Sequence, residues 1–330
     1  MKLRSILFVS LVLLTSNVLG GEKETCADWL KTVAFASHET EYSGVFVYQY
    51  ADAVETSRIT HLTEAGVEYE KLESLDGPQR EIIRHHGHVW MSDSHGMVEM
   101  NSQQKNARFP SLLPQQLSAL SENYQAKLAG KERVAGFDAQ VILFQPKDAL
   151  LYSHKIWVHS ESGLLLKAAV LDDKNKMVEQ YAFTQLQIGG KLDRSWLKAN
   201  VKKTFHGEKG HDYAKAKTKT SDSIEKSPPF NSGWVVRFLP SGFKKTTELE
   251  RPMHGKHLPV TQIVYSDGLS AVSVFIEHND HDEDDFDGLS SRGAVTLYHK
   301  VVGDHLFTVV GEGPPRAIVK VLDSIRYVNK

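Results

Sequence analysis

The chain of 330 residues sets 39 Lys and Arg against 41 Asp and Glu, a formal net charge of −2, so it carries no global basic field for nucleic acid. Its single cysteine, Cys26, excludes an intramolecular disulfide and leaves core burial as the source of stability. The length exceeds the usual single-core size and predicts two domains.

Residues 1–20 place Lys2 and Arg4 before an apolar run from Ile6 to Leu14, with Val18 and Gly20 at the cleavage positions. This is a secretory signal pattern, too short for a stable membrane span, and it predicts export to a bacterial periplasm. Charged residues lie between Gly20 and Cys26, so that cysteine is expected as an unpaired helix residue rather than a lipid anchor.

A first domain over 21–207 opens with a helix. Thr25 and Asp28 form a capping-box-like pair, and Trp29, Leu30, Val33 and Ala34 recur at helical spacing. Short alternating or apolar runs follow at 43–50, 57–65, 67–74, 80–92, 97–102, 139–146, 152–159, 164–172 and 178–188, bounded by turn residues. Consecutive strands with short loops predict an antiparallel meander, curved into a half-barrel. One amphipathic stretch, 108–124, interrupts it: Phe109, Leu112, Leu113, Leu117 and Leu120 fall on one helical face. It is expected to cover the concave face, either as ordinary core or as a plug over an apolar ligand cavity lined by Phe109, Leu112, Leu113 and Leu117.

Residues 208–229 have few large apolar side chains, many Lys and Ser/Thr, and end near Pro228-Pro229, which is linker chemistry. The second domain, 230–330, reads as a hairpin over 257–278 turning at Ser266-Asp267-Gly268 and another over 292–313 turning at Gly303-Asp304. Pro314 then opens a helix with Ile318, Val321, Leu322 and Ile325 as its apolar stripe. The fold class expected is α+β: an N-terminal curved antiparallel half-barrel with covering helices, and a smaller antiparallel sheet with one helix.

Two clusters invite metal chemistry. His85, His86 and His88 crowd one stretch, but on a single extended strand His86 and His88 face one way and His85 the other, and no third-ligand motif accompanies them. A polar strand surface is expected, with a metallohydrolase the weakest reading. Asp280, Asp282 and Asp284 have calcium-loop spacing, yet Asp285 stands where that loop needs glycine and Ser291 where it needs glutamate. The 278–288 stretch therefore reads as a solvated acidic loop. With no nucleophile elbow, phosphate-binding glycine loop or Cys-His pair, the chain points to binding, with no catalytic residue, cofactor or metal expected.

Five stretches, LDGPQREII (75–83), IWVHSESGLLLKAAVLDDKNKMVEQYAF (156–183), FLPSGF (238–243), YSDGLSAVSVFIE (265–277) and VVGEGPPRAIVKVLDSI (309–325), resemble in order and spacing the RseB/MucB family of periplasmic sigma-E regulators. The resemblance implies a LolA-like lipid-sensing half-barrel joined to a small partner-binding domain. It implies binding to the periplasmic domain of an RseA/MucA anti-sigma factor, which is shielded from regulated proteolysis until lipopolysaccharide or a similar acyl-chain ligand releases it. The alternative is a lipid or lipoprotein carrier without signalling. The His-rich strand and the acidic loop depart from the family pattern. The hairpins at 257–278 and 292–313 are expected to offer a strand edge to an extended partner segment. Homo-oligomerisation is left open.

Overall fold

The structure, a computed structural model, describes residues 25–85, 87–94, 96–100, 108–113, 117–197, 230–252, 258–279 and 287–328. The expected leader (1–20), the linker (208–229), His86 and residues 280–286 of the acidic loop lie outside them. No helix among the described residues is long and apolar enough to cross a membrane.

Helix α1 (Cys26–Glu39) starts where the sequence marks it. Thr25 Oγ1 accepts from the Asp28 backbone N–H, while Asp28 accepts from the Thr25 N–H, so two otherwise unpaired donors are satisfied reciprocally. Trp29 and Val33 on its buried face join the core against the large sheet, which the helix meets at its later strands.

That sheet has eleven strands, all antiparallel to their neighbours. In chain order they are β1 (Tyr42–Tyr50), β2 (Ala53–Glu64), β3 (Val67–Ser74), β4 (Glu81–His85), β5 (His88–Asp93), β6 (Gly96–Met100), β7 (Tyr124–Val134), β8 (Phe137–Pro146), β9 (Ser153–His159), β10 (Leu165–Leu171) and β11 (Met177–Ile188). The spatial order β6-β5-β4-β3-β2-β1-β11-β10-β9-β8-β7 is two meanders joined where the first strand pairs with the last. Alternation in β1 sends Tyr42 and Phe46 to the buried face.

Two differences from the sequence reading have local causes. The stretch 80–92 is not one strand but a hairpin turning through Gly87 at φ +77°, so His85 and His88 are direct cross-strand partners and share a face. His85 stacks on Tyr69 with centroids 4.4 Å apart, and His88 Nδ1 lies 2.6 Å from Glu99. Among its described residues the amphipathic insertion is helical only in α2 (Ser118–Asn123). In the sequence Pro110 and Pro114 each disfavour helical dihedrals at the preceding residue, Phe109 and Leu113, and the Phe109-Pro110 bond is cis.

The C-terminal part holds a six-stranded sheet ordered β13-β14-β15-β18-β17-β16. It is built from β13 (Lys244–Arg251), β14 (Val260–Ser266), β15 (Ala271–His278), β16 (Gly288–Arg292), β17 (Val295–Val302) and β18 (His305–Glu312). Helix α3 (Pro315–Asp323) buries Ala317, Ile318, Val321 and Leu322 against β17 and β18. Ile325 has left the helix for β19 (Ile325–Tyr327), which pairs with β12 (Trp234–Val236). Both expected hairpins form, but β14, β15, β17 and β18 are flanked on both sides. The free edges are β13 and β16.

Candidate functional site

One contiguous core runs through both sheets, from Phe46, Phe144 and Phe183 to Ile263, Val274 and Phe307. It encloses a cavity of about 220 Å³ between the large sheet and the C-terminal turns. The sheet supplies Phe46, Ile59, Leu72, Phe144, Ile156 and Ala168 to the wall; the insertion supplies Arg108, Phe109, Leu112 and Leu113; the C-terminal domain closes it with Leu269, Ser270, Ala294 and Glu312.

Three of the four residues singled out in the insertion line this cavity. Phe109 is buried against Phe46 (5.2 Å between centroids), Phe183 (5.0 Å) and, nearly parallel, Tyr181 (5.7 Å), so it plugs one side. Leu112 and Leu113 sit beside it. Leu117 does not line the cavity; it precedes α2 and packs, partly buried, on the surrounding core.

The polar wall escaped the sequence reading. Register puts Tyr42, His61, Glu70 and Arg84 in one row across β1 to β4. Glu70 accepts from Arg84 Nη1 at 2.7 Å and from Arg108 Nε and Nη2 at 2.9 and 3.1 Å. Burial alone pushes the Glu70 carboxyl up, but Arg108 and then Arg84 outweigh it and hold the group below its ordinary range.

At the other side the domains meet through buried bonds. Tyr124 Oη donates to Asp267 at 2.9 Å, and the other Asp267 oxygen accepts from the N–H groups of Leu269 and Ser270. Glu179 accepts from Tyr48 Oη and from the Ala294 N–H, both at 2.8 Å. Burial, with Glu179 and Asp267 adding repulsion, raises Glu312 to about 7. Glu312 lines the cavity and its side chain is also exposed, so solvent screens the energetic weight of this shift. Burial also depresses His154 to about 4, against the pull of Asp267, so its ring is neutral at pH 7. No group of three or more His, Cys, Asp or Glu placed to hold a metal occurs among the described residues.

Two antiparallel sheets sharing one apolar cavity, with buried polar groups that join the domains, define a two-domain binding protein. Profiles of the MucB/RseB N-terminal and C-terminal domains match residues 25–201 and 229–326. The chain belongs to the MucB/RseB family of sigma-factor regulatory proteins. It is 30% identical over 325 residues to the sigma factor AlgU regulatory protein MucB of Pseudomonas aeruginosa, covering 96% of each chain. It is 25% identical over 323 residues to the sigma-E factor regulatory protein RseB of Haemophilus influenzae, covering 97% of this chain and 96% of the relative. The crystal structure of MucB in complex with MucA(peri) covers 93% of this chain and 100% of its own at 27% identity and a TM-score of 0.70.

Proposed function

We propose that this protein holds the periplasmic domain of a MucA/RseA-type anti-sigma factor, shielding it from regulated proteolysis until an acyl-chain ligand such as lipopolysaccharide enters the cavity. The observation that carries the partner reading is the whole-chain likeness to MucB solved with the periplasmic part of MucA. The signal-like segment at 1–20 supports a periplasmic location.

In this reading residues 21–207 sense lipid, 230–330 supply partner contacts, and 208–229 connect them. Because both domains wall the cavity, a chain that fills it touches Leu269 and Ala294 as well as Phe109 and Leu113. A ligand that favours one domain arrangement and a partner that favours another weaken each other reciprocally. At about 220 Å³ the closed cavity is smaller than the roughly 300–1,000 Å³ of small-molecule sites. It must widen to admit a long chain, and the C-terminal wall is one side that can yield. Any strand added to the smaller sheet must use β13 or β16, since the other strands are already paired twice. A carrier without signalling accounts less well for a second sheet that is part of the cavity wall.

The test is protease protection of the anti-sigma periplasmic domain by the full chain, with and without lipopolysaccharide. Protection that lipopolysaccharide relieves is expected. Absence of protection at saturating protein refutes the partner reading, and protection indifferent to every acyl ligand refutes the lipid signal.

A further inference from the structure

The insertion enters the cavity with a cation at its head. Arg108 opens the segment that carries Phe109, Leu112 and Leu113, and its guanidinium lies along the buried Glu70 carboxylate, which Arg84 also holds. Two guanidiniums on one carboxylate leave one positive charge in excess at the cavity wall. In a low-dielectric enclosure such an excess attracts an anion far more strongly than it would in water.

The two arginines are not equivalent. Arg84 is the more buried of the pair and does not line the cavity; Arg108 is about a third exposed and does. If Arg108 turns away, Glu70 keeps Arg84 and its charge is not stranded, whereas a carboxylate with no remaining partner would be strongly destabilising. Arg108 is therefore the transferable cation. Glu179 and Glu312 also line the cavity, and Arg108 is the only Arg or Lys among its lining residues, so no second such cation competes with it for an anion.

We infer that the cavity takes an aliphatic chain ending in a carboxylate or phosphate, and that Arg108 exchanges Glu70 for the anionic end of that ligand. Guanidinium is suited to this exchange, since its planar fork matches carboxylate and phosphate alike. The exchange links head to tail: drawing Arg108 off Glu70 moves the residue next to Phe109, so recognition of the anion loosens the aromatic plug that the chain must displace. This inference rests on the reading of the cavity as an acyl-chain site, and assigns its headgroup residue and the sign of its ligand.

The experiment is calorimetric titration of the full mature chain with dodecyl phosphate, laurate, dodecanol and inorganic phosphate, repeated with Arg108→Gln and Arg108→Lys after circular dichroism shows that both are folded. The native chain is expected to prefer the two anionic amphiphiles to dodecanol by about tenfold, the worth of one charge-assisted contact. Arg108→Gln should erase that preference while leaving dodecanol affinity within about twofold, and Arg108→Lys should restore part of it. An undiminished preference in Arg108→Gln, or equal binding of dodecanol and dodecyl phosphate by the native chain, overturns the inference while the cavity reading stands. Failure of the native chain to bind any of the three amphiphiles removes the cavity reading and this inference together. Arg108-dependent binding of inorganic phosphate as tight as that of dodecyl phosphate marks a free-anion site and also overturns it.

Discussion

Gly293 stands where β16 turns into β17, at φ +58°, and presses on the large sheet so closely that a Cβ would fall on Glu179 Oε2 and Tyr48 Oη. Alanine there must pay left-handed strain and also push apart the Tyr48, Glu179 and Ala294 bonds that seal the cavity. Gly303, at φ +59° in the β17-β18 turn, has nothing within 4 Å, so alanine at that site costs the strain alone. Gly303→Ala should cost about 1 kcal/mol and Gly293→Ala about 2–3 kcal/mol, read as midpoints of denaturant unfolding. Equal losses would show that the Gly293 contact contributes nothing to the junction. Glu312 supplies a second residue-scale handle. Its carboxyl releases its proton near pH 7 in the formed junction and near the ordinary 4.5 once exposed. The formed junction thus binds the extra proton between these values, and stability falls as pH rises through that window, with the loss complete above about 7. His154 acts in the opposite sense: with its pKa depressed from 6.5 to about 4 the unfolded chain binds the extra proton between these values, and its contribution rises with pH there. Glu312→Gln should remove the falling component of the native curve and raise the melting temperature at pH 8 by about 2 °C, a small value because Glu312 is exposed and screened by solvent. A slope between pH 5 and 8 that is unchanged in Glu312→Gln would reassign it to another group.

The insertion divides the labour of its apolar residues between cavity and core, and the division can be measured. Leu113 lines the cavity and Leu117 does not. Leu113→Asp places a carboxylate among apolar walls and should lower acyl-chain affinity by about tenfold or more. Leu117→Asp should cost about 2 kcal/mol of stability with affinity changed less than about threefold. Laurate titration and denaturant unfolding of both variants separate the two roles, and a loss of affinity only in Leu117→Asp would displace the cavity from its assigned position. The apolar stripe that marks this element is visible in the sequence, but its shape is not, because the periodicity of Phe109, Leu112 and Leu113 imitates a helix that Pro110 and Pro114 disfavour. Strands β7 and β13 escape the sequence reading for another reason. Their segments, YQAKLAGKERV and KKTTELER, are charged edge strands, and charge on an edge suppresses both hydrophobic alternation and unwanted pairing. The polar wall is harder still to foresee. Arg108 and Glu70 are 38 positions apart, and Glu179 and Ala294 are 115 apart, so only strand register and domain docking bring them together.

At the scale of the whole molecule, the junction combines an apolar core shared by both sheets with a few buried bonds and a rim of weak ones. Arg316 pairs with Asp173 at 3.0 Å, Lys244 with Glu122 at 3.3 Å, and Arg292 with Glu55, all with substantial solvent exposure. Such rim pairs contribute roughly 0–1 kcal/mol each and are screened by salt. The buried contacts, Tyr124 with Asp267 and Glu179 with Ala294, hold the register but are few. Docking of two free domains at micromolar concentration must overcome the loss of translational freedom, whereas a linker of the length of 208–229 keeps them at an effective concentration of order millimolar. Covalent connection should therefore matter to function. The full chain is expected to protect an anti-sigma periplasmic domain from protease; residues 21–207 alone should not, and a micromolar mixture of 21–207 with 230–330 should protect at least about tenfold less. Raising the salt from 0.05 to 0.5 M should weaken the mixture further while leaving the full chain nearly unchanged, because only the mixture depends on docking between free domains. Full protection by 21–207 alone would remove the partner role assigned to the C-terminal domain. Protection by the mixture equal to that of the full chain, and still relieved by an acyl ligand, would show that the junction communicates through its contacts without the linker.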